Sequence, residues 1–181
     1  MTGNRKFRRF SFGVFMFLGA YAAGLAASGQ ALAAGVKAAA THKAWTVHVT
    51  GGKGARVCYM HSLPVESEGD YTRRGDSYIQ VTHRQKSKSA NEISVTAGYA
   101  YKKDSDVDVV IDGKKFSMFT DGDTAWSRSA DDDKALASAM RAGSTMIVKG
   151  TSSRGTATTD RYSLAGFTAA HKTIGKACGI R

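Results

Sequence analysis

The sequence predicts a mainly β fold, an antiparallel β-sandwich with two short helices, one of them at the C-terminus. First, apolar and polar residues alternate in most segments after residue 43, with the period of a half-buried strand. Second, turns rich in glycine and aspartate separate these segments at intervals of about 8 to 15 residues. Third, only two segments have apolar residues at helical spacing, so strands should dominate the fold.

The first 33 residues are predicted to be a secretory signal peptide. A basic stretch that ends at Arg9 precedes the apolar run 10–25 and the small-x-small sequence Ala31-Leu32-Ala33. A transmembrane anchor is the alternative, but glycines dilute the run, and a span needs roughly 20 strongly apolar residues. We therefore expect no transmembrane anchor after cleavage. The predicted location is periplasmic, associated with the outer membrane, or secreted.

The rest of the chain is predicted to be one basic domain. Residues 34–43 are alanine-rich without an apolar period and read as a flexible leader, so the domain spans residues 44–181. The formal net charge is +11, and removal of the four cations of the signal peptide leaves +7. This charge favours an anionic partner in the envelope or on a host surface, although a soluble protein of ordinary charge also fits. Nucleic acid is not an expected partner, because acids are interleaved with the Lys and Arg.

The chain has two cysteines, Cys58 and Cys178. In the oxidising compartment that a signal peptide implies, they should form a disulfide. Neither belongs to a C-x-x-C redox motif, and the sequence has no zinc-binding pattern. We predict a structural bond that ties the end of the chain to the start of the domain.

The predicted strands follow the alternation along the chain. Trp45 and Val47 share one face of the first strand, and residues 57–59 continue after a glycine-rich turn. The only proline, Pro64, begins a polar loop that is predicted to reach Gly75. Further strands are expected at 77–84, 93–99, 107–111, 116–120, 124–127, 146–148 and 162–164, with a Ser/Thr/Gly-rich connection over 150–159.

The strongest local signals mark one hairpin and two helices. Asp112-Gly113 stands between two alternating segments and is typical of a type I′ turn. Ser129 is predicted to cap a helix that has three aspartates in its first turn and ends at Gly143. A second helix is predicted from Thr168, because the apolar residues that follow have helical spacing.

A set of short motifs runs in order along the predicted domain. They are Trp45-Thr46-Val47, Cys58, Gly98-Tyr99 with Lys102-Lys103, Ile111 to Phe116, Phe119 to Trp126, Met140 to Met146, Gly150 to Thr156, Thr159 to Leu164 and Lys176-Ala177-Cys178. Together they resemble the invasion-associated locus B proteins of alphaproteobacteria. The resemblance implies an exported or cell-envelope protein with an immunoglobulin-like β-sandwich and no enzymatic activity. The family is named for a member linked to entry of a pathogen into host red cells.

Acidic residues offer the alternative of an exported hydrolase. Asp121, Asp123 and Asp160 are candidates for a carboxylate pair in glycoside hydrolysis, although turns also use aspartate for local hydrogen bonds. The acidic run 104–112 lacks the glycine and the glutamate of an EF-hand calcium loop at the required positions. The five histidines are dispersed and are not predicted to form a ligand set. We therefore predict no catalytic residue, no metal and no cofactor.

The predicted binding surface consists of exposed cations beside aromatic residues. It is divided among three segments: Tyr71, Arg73 and Arg74; Arg84, Lys86 and Lys88; and Trp126 with Arg128. Trp126 could equally belong to the core. We predict a non-enzymatic protein that acts by binding an unidentified envelope or host-surface component. A structural or stress-related periplasmic role is the alternative.

Signal cleavage is directly measurable. N-terminal sequencing of the protein recovered from the envelope or culture medium of an expressing bacterium should give Ala34 as the first residue, because signal peptidase cuts after a small-x-small sequence. A recovered chain that still begins at Met1 would contradict the prediction.

Overall fold

The computed structural model describes residues 38–180, so the predicted signal peptide lies outside the described residues. The described chain contains 11 strands and two helices, which confirms the mainly β fold class. In chain order the elements are β1 (Ala40–His42), β2 (Trp45–Thr50), β3 (Val57–Ser62), β4 (Glu66–Gly69), β5 (Tyr78–Arg84), β6 (Ser89–Thr96), β7 (Asp106–Ile111), β8 (Lys114–Asp121), β9 (Thr124–Trp126), α1 (Ala130–Ala142), β10 (Thr145–Thr151), β11 (Ala157–Ser163) and α2 (Phe167–Cys178).

The strands form one hydrogen-bonded antiparallel sheet that folds back on itself. Its order is β1-β2-β3-β5-β6-β9-β8-β7-β10-β11-β4. Although β2 and β11 are not neighbours in this order, Trp45 Nε1 of β2 donates a hydrogen bond of 3.1 Å to the Ser163 carbonyl of β11. Likewise Ser77 Oγ, just before β5, lies 3.0 Å from the Tyr162 hydroxyl of β11. The predicted packing of strand layers therefore arises from one curled sheet.

A single apolar core fills the space inside the curled sheet. Alternate residues of the strands point into it, as the period of two requires. The large side chains that it buries include Trp45, Met60, Ile79, Met118, Leu136, Met146, Tyr162 and Phe167. Trp45 and Phe167 meet edge to face with ring centroids 5.0 Å apart, so α2 packs over the start of the sheet.

Two segments that the sequence predicts to be irregular form edge strands. Ala40–His42, inside the predicted flexible leader, pairs with β2, so the prediction is wrong there and the domain begins before Ala44. Glu66–Gly69, inside the predicted polar loop, pairs with β11. Both strands are short and lie at sheet edges, where few residues are buried. Alternation is therefore too weak there to reveal a strand.

The predicted end signals of α1 are present. Ser129 caps α1, since its Oγ accepts a hydrogen bond of 3.1 Å from Asp132 N. Gly143 follows the last residue of α1, and α2 begins at Phe167, one residue before the predicted start. Within residues 38–180, no helix is long and apolar enough to cross a membrane.

The predicted hairpin turn is confirmed. Asp112 and Gly113 have φ angles of +45° and +88°, and a type I′ turn requires positive φ at both residues. The Asp112 carboxylate also accepts a hydrogen bond of 3.0 Å from Ser144 N. The turn between β7 and β8 is thereby attached to the chain between α1 and β10.

The predicted disulfide between Cys58 and Cys178 is present. Their Cα atoms lie 6.0 Å apart, within the range that a disulfide spans. Cys58 belongs to β3 and Cys178 is the last residue of α2. Since 120 residues separate the two positions, the chain-entropy model gives about 4 to 5 kcal/mol of stabilisation.

Removal of the disulfide should lower the thermal midpoint of unfolding by roughly 10 °C or more, because each kcal/mol corresponds to about 2 to 4 °C in a domain of this size. Differential scanning calorimetry of the wild type and of Cys58→Ala/Cys178→Ala tests this. A reducing agent should lower the midpoint of the wild type and leave that of the variant unchanged. Equal midpoints for the two proteins would contradict the structural role of the bond.

Two histidines are packed under α2 in a neutral state. His83 of β5 is buried, and its ring meets that of His171 of α2 edge to face, with centroids 5.2 Å apart. His83 Nδ1 accepts a hydrogen bond from Asn91 N, and His171 Nε2 lies 2.6 Å from Asn91 Oδ1. Burial, with the nearby charges of His83 and Arg141, lowers the pKa of His171 to about 4. Burial also lowers the pKa of His83.

This packing makes stability depend on pH. An unfolded histidine takes up a proton near pH 6.5, whereas folded His171 does so only near pH 4, so the free energy of unfolding should fall as the pH drops between these values. Urea unfolding of the wild type and of His171→Gln at pH 7, 6 and 5 tests this. The loss of stability on acidification should be smaller in the variant, whatever its stability at pH 7. An identical pH dependence would show that His171 does not contribute.

Candidate functional site

A cleft of about 720 Å³ opens between three segments of the chain. Its walls are the loop 70–75, residues 98–100 after β6, and residues 152–158 around the β10–β11 turn. Gly75 N donates a hydrogen bond of 2.9 Å to the Gly98 carbonyl, and Ser153 N donates one of 2.8 Å to the Ala100 carbonyl. Gly98 has a φ of +74°, and a Cβ there would overlap the carbonyl of Gly75. Backbone contacts therefore fix the three walls relative to one another.

Arg74 lines the cleft and forms a buried ion pair with Asp160 of β11. Arg74 Nη1 lies 2.7 Å from Oδ1 and Nη2 lies 2.6 Å from Oδ2, a bidentate geometry. The two side chains are only 7% and 3% exposed. The expectation that Arg74 is an exposed cation is therefore wrong: its charge is already neutralised by the carboxylate.

Further polar groups surround the ion pair. Arg74 Nε donates a hydrogen bond of 2.6 Å to the Ala97 carbonyl, and Ser67 Oγ donates one of 2.7 Å to Asp160 Oδ1. Ser77 Oγ lies 3.2 Å from Asp160 Oδ2 and also contacts the Tyr162 hydroxyl. Although burial disfavours a charged guanidinium, its hydrogen bonds and attraction to Asp160 raise the pKa of Arg74 further above its ordinary value. The guanidinium therefore stays protonated, and the ion pair connects loop 70–75 with β4, with β11 and with the residues next to β5 and β6.

Two tyrosine rings extend from the ion pair into the cleft. The Arg74 guanidinium carbon lies 5.1 Å from the ring centroid of Tyr99 and 5.6 Å from that of Tyr71. The Tyr99 hydroxyl lies 2.6 Å from Thr158 Oγ1. Burial raises the pKa of Tyr99, so its hydroxyl keeps its proton at neutral pH. Tyr71 is 37% exposed and lines the cleft, so part of its side chain is accessible there.

Two exposed arginines, Arg73 and Arg154, stand on different walls of the cleft. In the part of the chain that the structure describes, the ion pairs involve Arg74, Arg84, Arg128 and Arg161, and neither Arg73 nor Arg154 belongs to one. Asp70 is the one carboxylate among the lining residues. The hydroxyls of Ser152, Ser153 and Thr156 line the same wall as Arg154. The cleft therefore combines unpaired guanidinium groups, hydroxyls and tyrosine rings.

The structure does not bring the other two predicted groups into this cleft. Arg84 pairs with Glu92 at 2.9 Å, while Lys86 and Lys88 are exposed in the β5–β6 turn. Arg128 pairs with Asp106 at 2.5 Å and lies 5.9 Å from the Phe119 ring centroid. Trp126, in β9, is partly buried. Of these cations, only the two lysines are exposed and outside an ion pair among residues 38–180.

The carboxylates of the hydrolase alternative lie in different environments. Asp121 and Asp123 are exposed at the β8–β9 turn, where Asp123 accepts a hydrogen bond of 2.9 Å from Thr124 Oγ1. Asp160 is 2% exposed and is held by Arg74 and two serines. A carboxylate fixed in this way has no oxygen available to attack a substrate or to transfer a proton. Asp160 is therefore not suited to the role of a catalytic carboxylate in the hydrolase alternative.

Tyr99, Arg154 and Thr158 are among the residues of the cleft that were not identified as site residues from the sequence. Tyr99 follows β6, whereas Arg154 lies in the β10–β11 turn and Thr158 lies in β11, so their proximity depends on the curl of the sheet. The Ser/Thr/Gly-rich composition of 150–159 was the one local signal of this wall, since such connections often bind ligands.

The buried pair should matter far more than an exposed pair of the same type. We expect Arg74→Gln to lower the free energy of unfolding by about 3 to 5 kcal/mol, because it leaves the Asp160 charge buried without its partner. Arg161 also pairs with a carboxylate, Glu66, but both side chains are about half exposed. The matched control Arg161→Gln should therefore cost about 1 kcal/mol or less. Urea unfolding at pH 7 measures both, and equal losses would contradict the assignment.

The comparisons with known proteins agree with the fold. The chain is similar in structure to the crystal structure of invasion associated protein B from Bartonella henselae, with a TM-score of 0.51 and 18% sequence identity. The similarity covers 75% of this chain and 92% of that one. No curated protein matches the chain significantly.

A family model covers most of the folded region. The model described as "Invasion associated locus B (IalB) protein" matches residues 45–175. This range runs from the first residue of β2 into α2 and includes every wall of the cleft. The chain therefore belongs to the invasion associated locus B family.

Proposed function

We propose that the protein is exported and acts by binding an anionic component of the cell envelope or of a host surface, and that the cleft is the binding site. The observation that carries this proposal is the pair of exposed arginines, Arg73 and Arg154, on separate walls. Neither guanidinium has an ion-pair partner within residues 38–180. Guanidinium groups bind carboxylates and phosphates through paired hydrogen bonds.

The floor of the cleft favours binding without a large conformational change. Because Arg74 is held by Asp160 and by the Ala97 carbonyl, the ring of Tyr99 beside it is positioned before a ligand arrives. A ligand then loses less free energy to ordering the protein. The partly exposed Tyr71 side chain offers apolar contact, and serine and threonine hydroxyls offer hydrogen bonds. This combination suits a ligand that carries both acidic groups and hydroxyls.

A binding role, rather than catalysis, is supported by the state of the charged groups in the cleft. The buried carboxylate beneath the cleft, Asp160, is neutralised by Arg74, and two of the three exposed charged residues that line the cleft are the cations Arg73 and Arg154, the third being Asp70. Export is supported by the predicted signal peptide and by the disulfide between Cys58 and Cys178, which persists in oxidising compartments. The relative from Bartonella henselae is named as an invasion associated protein, which fits a surface or envelope role.

The experiment compares two double variants that remove the same charge from different places. Arg73→Gln/Arg154→Gln changes the cleft, whereas Lys86→Gln/Lys88→Gln changes the β5–β6 turn. The probes are polygalacturonate, which presents carboxylates and hydroxyls, and vesicles of one part phosphatidylglycerol to three parts phosphatidylcholine. We expect the arginine variant to weaken binding of at least one probe by about tenfold or more, while the lysine variant stays within about twofold of the wild type.

Each outcome of this binding experiment supports or contradicts the proposal. Preference for one probe identifies the source of the anionic group as glycan or lipid. Equal weakening by both variants would show attraction to overall charge and would overturn the assignment to the cleft. Failure of the wild type to bind either probe at physiological salt would overturn the anionic-ligand proposal and favour a structural periplasmic role. Circular dichroism of all proteins should confirm that the fold is intact.

A further inference from the structure

A second cavity, of about 560 Å³, shares no lining residue with the cleft. It lies on the outer face of the sheet, because the residues of β3 and β5 that point the other way, such as Met60 and Ile79, are buried in the core. Asp76 is the one carboxylate among its lining residues, and none of them is a lysine or an arginine. The rest of the wall is mostly aromatic or apolar and includes His48, Tyr59, His61, Leu63, Pro64 and Tyr78.

Three of the rings form a stack at one end of this cavity. His48 of β2 stacks on Tyr59 of β3 with ring centroids 4.8 Å apart, and on His61 of β3 with centroids 5.1 Å apart. His48 is therefore the middle ring, and it covers one face of His61. Side chains two residues apart on a strand lie on the same side, so the other face of His61 is the one toward Leu63, directly after β3.

The register of β3 and β5 brings Tyr78 to this uncovered face. His61 pairs with Gln80, and Tyr78 precedes Gln80 by two residues on the same side of β5. Gln80 Nε2 donates a hydrogen bond of 3.0 Å to Thr82 Oγ1, which holds the amide away from the core. Asp76 precedes Tyr78 by two residues and lines the same cavity. A carboxylate therefore lies at a cavity whose wall is formed by aromatic rings.

The charges at this cavity favour a cation. Asp76 is exposed, and the ion pairs within residues 38–180 use Asp160, Glu92, Asp106 and Glu66 as their carboxylates, so Asp76 belongs to none of them. Burial, together with the nearby charge of His48, lowers the pKa of His61, so this ring is neutral at pH 7 and does not repel a cation. The faces of aromatic rings attract cations through the ring quadrupole.

We propose that this cavity binds a methylated ammonium group. A quaternary ammonium suits it better than a metal ion or a bare ammonium, because its methyl groups can pack on Leu63 and Pro64 while its charge meets Asp76 and the rings. Such a group occurs both on small solutes and on choline-containing lipids. The inference does not depend on the function proposed for the cleft, since the two sites share no lining residue.

The test compares two probes of nearly the same shape by isothermal titration calorimetry of the exported protein at pH 7.5. Choline carries the positive charge, whereas 3,3-dimethyl-1-butanol has a carbon in place of the nitrogen. We expect one choline per protein and binding of the alcohol that is about tenfold weaker or less, because the alcohol lacks the attraction to Asp76 and to the ring faces.

Vesicles of phosphatidylcholine alone distinguish the two sources of the group. Binding of choline and of these vesicles, both weakened by the same variants, assigns the site to a lipid headgroup. Binding of choline without binding of vesicles assigns it to a small solute. Both results support the proposal.

The variants separate the charge from the ring. Asp76→Asn should weaken choline binding by about tenfold or more, whereas Asp104→Asn, which changes an exposed carboxylate that lines neither the cleft nor this cavity, should leave it unchanged. Tyr78→Leu should weaken binding by about threefold or more, while Tyr78→Phe, which keeps the ring face, should stay within about twofold of the wild type.

Several results would overturn the proposal. They are equal affinity for choline and for the alcohol, full affinity in Asp76→Asn, an equal loss in Asp104→Asn, and no choline binding by the wild type up to about 10 mM. Asp76 is exposed, so Asp76→Asn keeps the test valid if Tyr78→Leu fails to fold.

Discussion

The buried ion pair between Arg74 and Asp160 is the interaction on which the candidate site depends. It joins positions 86 residues apart in the chain, one in the loop before β5 and one in β11. An intact buried ion pair contributes little net free energy to stability. Removal of one partner lowers stability strongly, because the other charge stays buried without compensation. One charge-neutral cluster therefore holds together the loop, the tyrosine rings and the curled sheet. Substitution of Arg74 or Asp160 alone should lower the stability of the fold.

The ion pair and the disulfide hold the curled sheet at different places. Cys58 and Cys178 attach α2 to β3, where α2 also covers Trp45, His83 and the start of the sheet. Arg74 and Asp160 attach the loop before β5 to β11. A sheet of many strands that folds back on itself without closing benefits from such links, because its two edge strands, β1 and β4, are short and add few contacts. Loops that are fixed in this way on a rigid scaffold are suited to binding rather than to large movement.

Much of the fold could be predicted from local patterns. The alternation of strands, the Ser129 cap, the Asp112-Gly113 turn and the pairing of the only two cysteines depend on neighbouring residues or on composition, and the structure has all of them. The edge strands at Ala40–His42 and Glu66–Gly69 were not predicted, because they are short and bury few side chains. Arg74 looked like a surface cation because its own loop is polar, and only the distant Asp160 makes it a buried residue. Arg154 was not identified for the same reason, because the other walls of the cleft come from distant segments of the chain.

The central claim, that the cleft is the binding site, is tested most directly by an NMR titration of isotope-labelled exported protein with oligogalacturonate. The account predicts that backbone amide shifts change mainly in residues 70–75, 98–100 and 152–158, which form the three walls of the cleft. Shift changes centred on the lysines of the β5–β6 turn, or spread evenly over the basic surface, would contradict it.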